Sequence, residues 1–85
     1  MPYVVRLKPR AERDLDRLPI QVARRIWQRL LALEANPRPP GCVKLVGEED
    51  AYRIRVGDYR VVYLIDDRGP LVEIVRIAHR LEVYR

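Results

Sequence analysis

The stretch YRIRVGDYRVVY, residues 52–63, consists of two apolar-and-arginine runs joined by Gly57-Asp58. Glycine reaches positive φ without steric cost, so Gly57-Asp58 predicts a two-residue hairpin loop between two strands. With that loop, Val56 lies opposite Tyr59, Arg55 opposite Arg60, Ile54 opposite Val61 and Arg53 opposite Val62. Directly paired residues share a face, and so do residues two apart along a strand. Tyr52, Ile54, Val56, Tyr59, Val61 and Tyr63 then line one face, a natural surface for helices. Arg53, Arg55 and Arg60 project together from the other.

Working outward, YVVRLK at residues 3–8 is a β-branched run that reads as a strand. Pro9 suits the first turn of a helix, and Ala11, Leu15 and Leu18 make one apolar stripe before Pro19 breaks it. A second helix is predicted over 20–35, ending at Asn36-Pro37. Its inward face comprises Ala23, Ile26, Trp27, Leu30, Leu31 and Leu33; Arg24, Arg25, Gln28 and Arg29 fall outside. Residues 37–50 are a proline- and glycine-rich connection with a short strand at 43–45, and strand runs follow at 51–56, 59–66 and 71–79. The expected fold class is α+β: an N-terminal strand, a helical hairpin, then a three- to four-stranded antiparallel meander, with the helices on one face of the sheet.

At 85 residues the chain has room for one domain, spanning 1–85. Hydrophobic content of 48% excludes a disordered chain, and no apolar run approaches the roughly 18 residues of a membrane span. The N-terminus MPYVVRLKPR lacks the apolar core of a signal peptide. One cysteine, Cys42, rules out an internal disulfide, and with one histidine it makes no zinc site. The expectation is a cytoplasmic protein without metal, cofactor or membrane association. Fifteen arginines and two lysines give a net charge of +5, which favours polyanions. Residues 1–40 hold nine basic and four acidic groups, whereas residues 41–85 hold eight of each, so any anion site in the hairpin arises from local clustering.

Arg55 and Arg60 paired across a ladder repel, at a cost of a few tenths to about 1 kcal/mol. A fold tolerates that where the charges are solvated or where an anion binds. Guanidinium forks donate bidentately to phosphate and stay charged at any relevant pH. The C-terminal RIAHRLEVYR adds Arg80, the only histidine, His79, and Tyr84. Imidazole exchanges protons near neutrality, and tyrosine offers a face for base stacking and a phenol for hydrogen bonding. Other residues read as structural: Trp27 as core by its helical spacing, Cys42 as a loop thiol without an activating partner, and Glu48-Glu49-Asp50 as a solvated turn.

YRIRVGDYRVVYLI, VEIVRIAHRLEVYR, KPRAERDLDRLP and the order of elements together resemble the RelE/ParE superfamily of toxin–antitoxin toxins, in its RelE-like branch. The likeness runs from about Tyr3 to Tyr84. It implies a small basic toxin with a cognate antitoxin, forming a toxin–antitoxin hetero-oligomer, and an mRNA interferase acting on message in the ribosomal A site. It also implies that Arg53, Arg55, Arg60, Arg80, Tyr84 and His79 form the catalytic set. RelE-like enzymes often place lysine where this chain has Arg53 and Arg55. Arginine does not serve as a base, so these two act as phosphate clamps and proton transfer falls to His79, Tyr84 or the ribosome.

The expected reaction is attack of a ribose 2′-OH on the adjacent phosphate, without metal, inhibiting translation. The alternative is a non-enzymatic ParE-like toxin that inhibits gyrase. A third reading is an RNA-binding module without turnover.

Overall fold

The computed structural model describes residues 2–83. Its elements are β1 (Val4–Leu7), α1 (Pro9–Asp16), α2 (Ile20–Ala32), β2 (Val43–Lys44), β3 (Ala51–Val56), β4 (Tyr59–Asp66), β5 (Leu71–His79) and α3 (Arg80–Val83). The five strands form one sheet in the order β1-β5-β4-β3-β2. β2 to β5 are antiparallel, whereas β1 pairs parallel with the first half of β5, Val4 against Leu71 through Leu7 against Ile74. A return to the sheet through two helices makes that parallel pairing possible.

The β3–β4 register is the one the two-residue loop dictates, with Arg55 against Arg60 and Arg53 against Val62. Gly57 has φ of 60° and Asp58 has negative φ, as in a type II′ turn. Ile54, Val56, Val61 and Tyr63 are buried under the helices, with Tyr52 and Tyr59 packed against the same core. α1 lies along β5 and α2 along β3. No helix among the described residues is long and apolar enough to cross a membrane.

Two expectations for α2 are corrected. The helix ends at Ala32 rather than residue 35, and Trp27 is 43% exposed rather than core. The buried stripe is Ile26, Leu30 and Leu33, with Val22 half-buried. Trp27 and Leu31 each stand one residue, about 100°, around the helix from that stripe. α1 is only eight residues long and leaves Trp27 at the rim of an open groove with Leu15, Leu18 and Ile20, and Leu31 is exposed as well.

The core closes at one place through a charge. β1 covers β5 only as far as Ile74, so the edge of β5 beyond it has no partner strand. Asp14 of α1 fills the gap, its Oδ2 accepting the Ile77 N–H at 2.9 Å. Its other oxygen takes Arg10 Nε at 3.1 Å, and Arg76 Nε stands 3.6 Å away.

Candidate active site

Arg53, Arg55 and Arg60 line one open groove of about 240 Å³ on the sheet face turned away from α1 and α2. Gly41 and Val43 form its wall, because β2 sets Val43 against Arg53 at the edge of the sheet. Arg53 and Arg60 are half-buried and Arg55 is exposed. Arg55 Nε donates to the Gly57 carbonyl at 2.9 Å, which curls the side chain toward the turn. Among the described residues, no carboxylate pairs with Arg53 or Arg55. Glu48, Glu49 and Asp50 are exposed to solvent, as their polarity implies.

The wall is held from behind by a polar cluster. Tyr63 donates its hydroxyl to the Pro37 carbonyl at 2.8 Å and stacks with Tyr52, ring centres 6.1 Å apart. Arg38 donates through Nε to the Tyr52 hydroxyl and through both terminal nitrogens to the Asp67 carboxylate, at 3.2 and 3.0 Å. Tyr3 donates to the same carboxylate at 2.6 Å. The Arg38 fork, then the Tyr3 hydroxyl, hold the Asp67 carboxyl below the usual carboxylate range. Burial, with Cys42 alongside, pushes the Tyr63 phenol well up. The connection that supplies Gly41 and Val43 is thereby tied to Tyr3 ahead of β1, to β3, to β4 and to the β4–β5 turn.

The remaining sequence-predicted residues are placed differently. Arg80 opens α3 beside the hairpin turn: its N–H donates to the Asp58 carbonyl at 2.8 Å, and its Nε lies 3.9 Å from the Asp58 carboxylate. His79 pairs with Tyr59, and thus sits on the sheet face opposite the three groove arginines. Its ring meets Tyr59 edge-on, centres 5.4 Å apart, and its Nδ1 accepts the Leu81 N–H at 3.3 Å. Tyr84 lies outside the described residues.

Sequence reasoning missed Asp14 and Arg76. Asp14 stands three residues after Ala11, on the apolar stripe of α1, where a carboxylate signals a buried partner. Arg76 shares the face of the groove arginines through its pairing with Val62, and its terminal nitrogen reaches Glu82 at 3.4 Å. The buried positions Val72, Ile74 and Ile77 break the two-residue period, which marks the irregularity between Val62 and Tyr63 opposite.

A convergent set of permanent cations with no carboxylate on Arg53 or Arg55 fits a phosphodiester, and suits stabilisation of added negative charge more than proton transfer.

Residues 5–84 match the family of the ParE toxin of type II toxin–antitoxin systems. The toxin RelE of Mycobacterium tuberculosis is 41% identical over 85 residues, covering 99% of this chain and 88% of the relative. The toxin–antitoxin complex RelBE2 from the same organism aligns with TM-score 0.84 and 33% identity, over 94% of this chain and 93% of that one. An archaeal RelE–RelB complex from Pyrococcus horikoshii gives TM-score 0.84 and 32% identity, over 94% and 97%.

Proposed function

This chain belongs to the RelE/ParE superfamily of type II toxins, and we propose from that premise that it is a ribosome-dependent endoribonuclease. It would act in the cytoplasm, on message held in the ribosomal A site, and thereby arrest translation. A cognate antitoxin is its partner, as in the RelE–RelB complexes it resembles. The observation that carries the reading is the convergence of Arg53, Arg55 and Arg60 on one groove.

In the proposed reaction the 2′-oxygen bonds to the adjacent phosphorus and loses its proton, while the bond from phosphorus to the 5′-oxygen breaks and that oxygen gains a proton. The products are a 2′,3′-cyclic phosphate and a 5′-hydroxyl. Arg53 and Arg55 clamp the phosphate by their forks, and Arg60 stabilises the charge that grows on its equatorial oxygens. Arg80, beside the hairpin turn, takes the leaving-group side once it exchanges its long, exposed contact with Asp58 for phosphate. No step calls on a metal. The arginines supply no base, so the ribosome's alignment of the 2′-OH carries much of the acceleration, and free RNA is a poor substrate. Tyr84 is assigned to stacking on or orienting the substrate. Proton exchange is left to Tyr84, the RNA and the ribosome, since His79 faces away from the groove.

The test is incubation of the protein with ribosomes programmed with a defined message, followed by mapping of RNA 5′ ends. Discrete cuts in the A-site codon with 5′-hydroxyl ends support the reading. Intact message together with gyrase-dependent DNA breaks on expression selects the gyrase-inhibiting alternative and overturns it.

A further inference from the structure

α3 has four residues, Arg80–Val83, and the N–H groups of Arg80, Leu81 and Glu82 fall in the first turn, where none has a helical partner. Such a helix has a direction only if something outside it supplies acceptors. Two of these donors are met from the sheet, one by the β3–β4 turn and one by the last residue of β5. Arg80 N–H bonds to the Asp58 carbonyl in the β3–β4 turn, and Leu81 N–H bonds to His79 Nδ1.

His79 immediately precedes the helix and accepts from its second residue, which is the geometry of an N-cap, with imidazole nitrogen in place of the usual side-chain oxygen. The Tyr59 ring, edge-on at 5.4 Å, holds the imidazole in that pose. An Nδ1 that accepts carries no proton, so the cap requires the Nε2–H tautomer. A second tie comes from Arg76, which stands between Asp14 on α1, at 3.6 Å, and Glu82 on α3, at 3.4 Å.

We infer that His79 is a positioning residue: it caps α3 and so aims Arg80 at the phosphate groove, with Arg76 and Glu82 as a second anchor. The inference rests on the ribonuclease reading above and assigns His79 a role other than acid or base.

The experiment compares His79→Asn, His79→Ala, Arg80→Ala and the double variant His79→Ala/Arg80→Ala in single-turnover cleavage of ribosome-bound message, with a thermal melt of each protein. Asn restores a short side-chain acceptor at the cap but has no titratable proton. His79→Asn is expected to cleave within about threefold of wild type, and His79→Ala about five- to tenfold more slowly, the rate effect of losing one cap. In the Arg80→Ala background the His79→Ala change is expected to cost nothing further, because the cap acts through Arg80. Glu82→Gln is expected to give a smaller loss of the same kind. If His79→Asn is as slow as His79→Ala, or if the His79 and Arg80 losses multiply, the positioning role is overturned while the ribonuclease stands. Wild type that cuts no ribosome-bound message overturns the ribonuclease reading. The cap is then read by itself from imidazole nitrogen shifts, where a protonated Nδ1 in the folded protein overturns it and an unprotonated Nδ1 supports it.

Discussion

Arg55 and Arg60 stand directly opposite each other across the β3–β4 ladder, on the sheet face away from the helices. Like charges so placed cost the fold a few tenths to about 1 kcal/mol, which an anion in the groove offsets. A short single-stranded RNA is therefore expected to stabilise the protein by about 2.7 kcal/mol at a hundredfold excess over its dissociation constant. Differential scanning fluorimetry reads this as a rise in melting temperature, larger for wild type than for Arg55→Gln and larger than sodium chloride gives at equal ionic strength. An equal rise in wild type and Arg55→Gln would place the anion elsewhere.

Asp14 closes the open edge of β5 and collects two arginines. Asp14→Ala leaves the Ile77 N–H buried without an acceptor and is expected to cost about 2 kcal/mol in urea unfolding. Asp14→Asn keeps an acceptor and is expected to cost less.

The Asp67 carboxyl is held below its ordinary range in the folded chain by Arg38 and Tyr3. A folded-state value lower than the unfolded one adds stability at neutral pH, present above the unfolded value of about 3.9 and lost as pH falls through the folded one. Asp67→Asn removes that contribution, so its melting temperature is expected to lie below wild type at pH 7 and to converge on it in acid. Parallel curves for the two proteins would contradict the linkage.

Gly57 takes φ of 60° in the hairpin turn, and a Cβ there meets nothing nearer than Arg25 at 3.8 Å. The cost of Gly57→Ala is then conformational rather than steric, about 1 kcal/mol by chemical denaturation. Unchanged stability would mean that the turn relaxes to another type.

The hairpin and meander were legible in the sequence because they rest on local rules. Alternation and the Gly57-Asp58 loop place the strands at 51–56, 59–66 and 71–79, where β3, β4 and β5 are found. The shared face of Arg53, Arg55 and Arg60 follows from that register alone. Features set by distant packing were not legible. Trp27 has core spacing, but the short α1 leaves it at a groove rim. The face of His79 depends on how β5 pairs with β4 past an irregularity, and no local pattern reports that pairing. Asp14 serves an edge that exists only because β1 stops at Leu7.

The most direct measurement is the single-turnover rate at which Arg60→Ala cuts message on programmed ribosomes, beside wild type and with a matched melting curve. If guanidiniums in the groove stabilise the transition state, the rate falls by about a hundredfold or more while the fold persists. Cleavage at the wild-type rate by a folded Arg60→Ala protein would contradict a phosphate site built on these arginines.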